Sequence, residues 1–257
     1  MIELFENERC DIVNDKLKLI QKTDGLTFGT DALLLAGYIK SGYKLGCEFG
    51  GGGGIISMLL LTREKLEVTE CVEVQAEYAE LIARNAEINS LTERLIPIHS
   101  DIRDLPTVAK YDLVYTNPPY MKSDSGYANK ASKKNVARHE VCGTIDDFCM
   151  MASKLLKFGG TFAVVYRPDR ISDLICSMRK HSLELKRMTF VHARAESESS
   201  MVLLEARLGG GVGAMLTKPL IIYSESGKYS ADMDYIMTHG AFPDDFHSQN
   251  KNKRKEK

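Results

Sequence analysis

The chain has 257 residues, 44% of them hydrophobic and 27% charged, and a formal net charge of −1. That length can bury a real core in one large domain or two small ones, and the balance is that of a soluble globular protein. No apolar run approaches the roughly 18–20 residues needed to cross a bilayer, and the acids in "MIELFENERCDIV" argue against a secretory leader, so a cytoplasmic location is expected.

In chain order, residues 10–28 read as a short hairpin: "DIVN", an "ND" turn, "KLKLIQ", then "DG". "TFGTDALLLAGYIKSG" follows as a short apolar helix, with Thr30 or Asp31 as its N-cap and a stop near Gly42. "YKLGCEF" is a strand, five glycines come next, and "IISMLLL" is an apolar helix. "EVTECVEV" is a second strand. In "QAEYAELIARNAEINS" the side chains of Tyr78, Leu81, Ile82 and Ile88 share one stripe, which predicts an amphipathic helix. "RLIPIHSD" and "YDLVYTN" supply two more strands.

Beyond a polar loop from 121 to about 140, "TIDDFCMMASKLLKFGG" reads as a capped helix stopped by its glycines. "TFAVVYR" is a strand and "DRISDLICSMRKH" a helix. "LELKRMTFVHA" and "SMVLLEARL" are two strands joined by a charged loop. "PLIIYSESGKYS" and a short helix are appended, and the tail beyond about Phe246 reads as disordered.

The strand–helix alternation predicts an α/β fold with a mostly parallel, doubly wound sheet. Two final strands without a helix between them add an antiparallel hairpin at one edge. The expected division is residues 1–43 as a hairpin and helix packed on the body, 44–246 as the main domain, and 247–257 as a basic tail.

The six cysteines, at 10, 47, 71, 142, 149 and 176, include no C-x-x-C pair, so neither a metal site nor a disulfide framework is expected. Charge is unevenly placed. The final ten residues, "SQNKNKRKEK", carry +4, and residues 121–140 carry +3 through Lys122, Lys130, Lys133, Lys134 and Arg138 against Asp124 and Glu140. A basic segment on an acidic body can seat a polyanion, and it can equally be a solvated loop.

"CEFGGGGGII" lies between a predicted strand and a predicted helix, the place where open parallel sheets bind ligands. Glycines there let backbone approach a ligand, at roughly 0.5–1 kcal/mol each in ordering cost against alanine. No Lys-Ser/Thr follows for a phosphate loop, and G-x-G-x-x-G fails because its third position falls on Ile55 or Ile56. The pattern that fits is acid-x-Gly-x-Gly-x-Gly, with Glu48, Gly50, Gly52 and Gly54. It resembles the first motif of the Rossmann-like, S-adenosylmethionine (SAM)-dependent class I methyltransferases.

That resemblance implies further roles. Glu73, ending the second strand with Val74 beside it, would accept from two ribose hydroxyls. Asp101 would accept from an adenine amino group while Ile102 packs on the ring. This chain departs from the usual motif in having Glu48 where Asp is commonest, and glycine at 51 and 53, where a floppier loop and lower SAM affinity are expected.

"VYTNPPYMK" then ends a strand with Asn117, Pro118, Pro119 and Tyr120. Residues before proline are held extended and proline fixes its own φ, so the backbone here is rigid. The Asn117 side-chain amide and the Pro118 carbonyl can converge as acceptors on one planar NH2 group, orienting its lone pair without a strongly perturbed base. Tyr120 can stack on a flat substrate. The segment resembles the [NDS]-P-P-[YFW] signature of amino methyltransferases acting on adenine, cytosine or glutamine amide nitrogen.

From "LKLIQKTDGLTFGTDALLLAGYI" through "ARHE", "YRPDR" and "PLIIY", about residues 10–235, the chain is similar to the bacterial tRNA adenine-N6 methyltransferases that act beside the valine anticodon. In that family the segment matching Phe28–Asp31 lies against the SAM pocket, which carries over Phe28 and Thr30 as cofactor contacts. The resemblance implies N6-methylation of a tRNA adenine, with Tyr120, Lys122, Lys133, Lys134, Arg138 and Arg167 as substrate contacts. Two alternatives stay open: glutamine N5-methylation of a protein such as a release factor, and a catalytically idle SAM- or RNA-binding module.

Overall fold

The computed structural model describes residues 4–14, 17–23, 28–118 and 143–247. Strands β1 (Glu8–Asn14) and β2 (Leu17–Lys22) pair antiparallel as a separate two-stranded sheet. The main sheet is built from β3 (Tyr43–Phe49), β4 (Leu66–Glu73), β5 (Leu95–His99), β6 (Tyr111–Thr116), β7 (Leu156–Tyr166), β8 (Leu183–His192), β9 (Ser199–Leu208), β10 (Met215–Leu216) and β11 (Leu220–Ile221). Its order is β10-β8-β9-β7-β6-β3-β4-β5, with β11 also pairing β8. From β5 to β7 every neighbour is parallel, and β9 runs antiparallel between β7 and β8. The expected hairpin is thus β8–β9, and the short strands β10 and β11 line its outer side in parallel.

Sequence order reverses at β3, whose neighbours are β4 and β6, so the crevice beyond the carboxyl ends of these strands is where a ligand would bind. Alternation along the strands sends side chains to two faces. Leu113, Tyr115, Ala163 and Val165 pack under α1 (Thr30–Tyr38), α2 (Ile55–Thr62), α3 (Ala76–Ile88) and α6 (Ala231–His239). Cys47, Phe49, Val114, Phe162 and Val164 pack on the other face, under α4 (Ile145–Leu155) and α5 (Ile171–Lys180). Among the described residues no helix is long and apolar enough to cross a membrane.

The β1–β2 hairpin is held to the body by two asparagines that mimic a strand. Asn85 of α3, fully buried, accepts from Ile20 N at 2.7 Å and donates to Ile20 O at 3.1 Å. One turn on, Asn89 does the same for Lys18, at 2.9 and 2.7 Å. Leu17 and Leu19 go under the hairpin into the core, and Ile20 packs separately with Tyr78 and Leu81 of α3.

Helix α1 differs from its expected form at both ends. Its N-cap is Gly29 without a side-chain bond, so neither Thr30 nor Asp31 caps it, and it stops at Tyr38 rather than near Gly42. The last carbonyls of a helix lack partners within it. Here two buried cations supply them: Lys65 Nζ donates to Ala36, Gly37 and Ile39 carbonyls at 2.7–2.8 Å, and Arg187 Nη2 to the Tyr38 carbonyl at 2.6 Å. The Arg187 charge also complements the helix dipole, while burial pushes Lys65 down to about 7.

Thr144 and Asp147 form a capping box at the start of α4. The glycines do not end that helix, however. α4 stops at Leu155 and β7 begins at Leu156, which puts Gly159 and Gly160 inside the strand.

Candidate active site

The pentaglycine bend joins β3 to α2. Gly50, Gly52 and Gly54, the three motif positions, have φ of 71°, 54° and 78°, a region open to glycine and strained for other residues. The bend is well tied. Gly50 N and Gly51 N donate to Val72 O at 2.9 and 3.1 Å, Gly54 N to Gly51 O at 2.8 Å, and Asn85 Nδ2 to Gly53 O at 3.0 Å.

Gly51 and Gly53 differ in what surrounds them. A Cβ on Gly51 would lie 2.1 Å from Cys71 Sγ, whereas one on Gly53 would meet Leu19 at an ordinary 3.7 Å, and Gly53 has no positive φ. Gly53→Ala should therefore raise stability by about 0.4–1 kcal/mol through the unfolded chain. Gly51→Ala should lower it by roughly 1–3 kcal/mol through overpacking. Urea unfolding of the two variants checks this, and equal shifts would contradict it.

Beneath the bend, Glu48 stands in register with Cys71 on β4 and Tyr115 on β6, so the three side chains share one face. Glu48 Oε2 accepts from Ser57 Oγ at 2.5 Å and from Ser57 N at 3.2 Å, and the Ser57 hydroxyl meets Tyr115 OH at 2.7 Å. Burial pushes the Glu48 carboxyl up to about 7, against the opposing pull of the Ser57 bonds.

Above lies a cavity of about 370 Å³, within the size range of small-ligand sites. Of the sequence-derived cofactor contacts, Phe28, Glu48, Gly50, Gly52, Glu73, Val74, Asp101, Ile102 and Asn117 line it, as does Pro118. Gly54 and Thr30 do not line it; Thr30 is exposed at the start of α1. Glu73 closes β4, and its carboxylate accepts from Gly52 N at 2.9 Å and Gln75 N at 3.0 Å. Open space lies over Gly50 and Gly52, where a Cβ would meet nothing within 4 Å.

Asp101 caps the short 3₁₀ turn Ile102–Asp104 and is gripped by the Arg103 guanidinium at 2.9 and 2.5 Å, which lowers its pKa. Asn117 follows β6 at the same rim. Its Nδ2 donates to Asp31 Oδ2 at 2.9 Å, and its Oδ1 is buried without a hydrogen-bond partner among the described residues. Arg167, at the end of the adjacent β7, pairs with Asp169 at 2.8 and 2.6 Å. Pro119, Tyr120, Lys122, Lys133, Lys134, Arg138 and the tail from 248 lie outside the described residues.

Several lining residues carry no local signal in the sequence. Leu19, Ile20 and Gln21 come from β2, Gln75 precedes α3, and Phe148 reaches in from α4. Gln21 Oε1 accepts from Phe28 N at 3.0 Å and so fixes the backbone of an expected contact. Asp31 was readable as a helix cap and serves instead as the partner of Asn117.

The sequence profile described as the methyltransferase small domain matches residues 23–177. A protein of Porphyromonas gingivalis named tRNA1(Val) (adenine(37)-N6)-methyltransferase is 28% identical over 90% of this chain and 91% of its own length. One of Aliivibrio salmonicida with the same name is 25% identical over 84% and 90%. Among solved structures, a predicted O-methyltransferase of Agrobacterium tumefaciens superposes with a TM-score of 0.66 at 21% identity, covering 83% of this chain and 98% of that one. The M. jannaschii TYW2 complex with AdoMet gives 0.55 at 15% identity, over 80% and 88%. At these identities the solved structures speak for the fold alone.

Proposed function

The chain belongs to the methyltransferase small domain family, and from that premise we propose that it transfers a methyl group from SAM to the exocyclic N6 of an adenine in tRNA, the anticodon-adjacent adenine 37 named in its relatives. The observation that carries this is the Asn117 amide. It stands at the cavity rim beside Pro118, with a buried oxygen that has no partner among the described residues.

The donor set suits SAM. Glu73 offers two carboxylate oxygens to a pair of ribose hydroxyls, the bare backbone of Gly50 and Gly52 leaves room for the methionine part, and buried Ile102 offers an apolar wall to the adenine ring. When bound, SAM supplies a sulfonium methyl: the amino lone pair forms the N–C bond, the C–S pair returns to sulfur, and one N–H proton leaves to solvent.

An aryl amine is a weak nucleophile because its lone pair is delocalised into the ring. Asn117 Oδ1 and the Pro118 carbonyl accept its two N–H bonds and turn the lone pair toward the methyl, so the protein contributes positioning and electrostatics. A tRNA base must leave its stack to arrive there; stacking on Tyr120 offsets that cost by about 1–3 kcal/mol. Lys122, Lys133, Lys134, Arg138 and Arg167 would neutralise the neighbouring phosphates. A tRNA substrate fits a cytoplasmic location, and the names of the relatives favour tRNA over a protein glutamine.

The test is incubation with labelled SAM and unmodified tRNA followed by nucleoside digestion. The expected result is label in N6-methyladenosine; a digest with none would overturn the reading.

A further inference from the structure

We propose that Asp31 is a positioning residue that fixes which way the Asn117 amide faces. The inference rests on the reading of Asn117 as the acceptor for the substrate amino group. A side-chain amide has two faces of opposite character, oxygen as acceptor and NH2 as donor, and a half-turn about its last bond exchanges them. Presented the wrong way round, Asn117 would set a donor against the donors of the incoming NH2.

Asp31 removes that ambiguity. Its carboxylate can only accept, so the amide must turn its NH2 toward Oδ2, and the 2.9 Å bond does so across 86 residues of chain. Asn117 Oδ1 is then the atom left over, buried and without a partner among the described residues. Both residues line the cavity.

The surroundings hold Asp31 for this task. Its other oxygen, Oδ1, accepts from Ala32 N at 2.9 Å, which sets the carboxylate plane. Gly29 leaves the room: a Cβ there would come within 2.7 Å of Oδ1. At the far end of the same helix, Lys65 and Arg187 lock the last carbonyls, so α1 cannot slide along its axis. The run Gly29-Thr30-Asp31 is thereby explained by space and by acceptor chemistry, with Thr30 exposed between the two.

A charge swap tests this. Four proteins are compared on the same tRNA: wild type, Asp31→Asn, Asn117→Asp, and the double variant. Asp31→Asn supplies one acceptor where two are needed and lets the facing amide flip, so kcat should fall about 10- to 100-fold while affinity for S-adenosylhomocysteine stays within about threefold. Asn117→Asp sets two carboxylates against each other and should fall at least as far.

In the double variant the two side chains trade places: the amide on α1 donates to the carboxylate after β6, whose free oxygen again faces the cavity. Activity should then recover at least tenfold over Asn117→Asp. Independent roles for the two residues predict multiplied losses with no recovery, and a merely structural bond predicts losses in stability and S-adenosylhomocysteine affinity alongside kcat. Should Asp31→Asn fail to fold, Asp31→Ala, expected to lose kcat with the same retained affinity, replaces it as the single variant. An active wild type without recovery in the double variant overturns this inference alone. A wild type that makes no N6-methyladenosine overturns the functional reading and this inference with it.

Discussion

Asn117→Ala should lower the rate of methyl transfer by at least about 100-fold, on the scale of losing one preorganised hydrogen-bonding group at a reacting centre, while affinity for S-adenosylhomocysteine changes less than about threefold. The asymmetry follows from what each part of the cavity touches. Glu73, the glycine bend and Ile102 belong to the β3–β5 side, where the Glu73 carboxylate holds Gly52 N and Gln75 N, whereas the side-chain bond of Asn117 is to Asp31. Removing the amide therefore deletes an acceptor for the amino group and leaves the cofactor side intact. Asp31 Oδ2 loses its donor as well, which should cost about 1–3 kcal/mol of stability, less because the site is solvated in part. Single-turnover rates and calorimetry on the same preparation separate the two effects. Equal losses in rate and affinity would move Asn117 from the reacting centre to the cofactor pocket.

Arg187→Met should cost about 3–5 kcal/mol, the largest stability effect expected of any single substitution here. The guanidinium is 2% exposed and lies 3.7 Å from the Tyr38 ring centroid. It donates to Glu205 Oε2 at 2.7 Å, to the Tyr38 carbonyl, and to His247, whose pKa burial and this neighbour push down to about 4. Methionine fills much of the volume but leaves the largely covered Glu205 carboxylate without this partner. Arg187 Nε is itself buried without an acceptor among the described residues, so the loss should fall toward the lower end of the range. Pairing it with Glu205→Met removes the stranded charge, and urea unfolding should show part of the stability returning. A single variant as stable as wild type would mean the cluster is energetically neutral.

The fold was largely legible because its signals are local. Tyr43–Phe49 is a short strand-like run stopped by glycines, and the stripe of Tyr78, Leu81 and Ile82 repeats at helical spacing, so β3 and α3 fall where the pattern puts them. Thr144 announces α4 by its capping box, but "KLLKFGG" misleads: the same glycines that end helices also sit within strands, and only pairing with β6 decides.

That Gly50, Gly52 and Glu73 share one cavity was legible for a similar reason, since they stand at or just beyond the ends of β3 and β4. What escaped is long-range. Asp31 meets Asn117 across 86 residues and Asn85 meets Ile20 across 65, and no window of sequence contains either pair. The requirement for glycine at 51 arises from a sulfur atom on the next strand.

That sulfur has a use of its own. Cys71 is fully buried under Gly51, and burial holds its thiol well above the ordinary range, so it stays protonated and out of reach of alkylating reagents. A reagent reaches it when the bend lifts, whereas Cys176 is exposed throughout. The alkylation rate at Cys71, referenced to Cys176, is thus a built-in clock for breathing of the bend, and any molecule seated over the glycines slows one hand of that clock and leaves the other running.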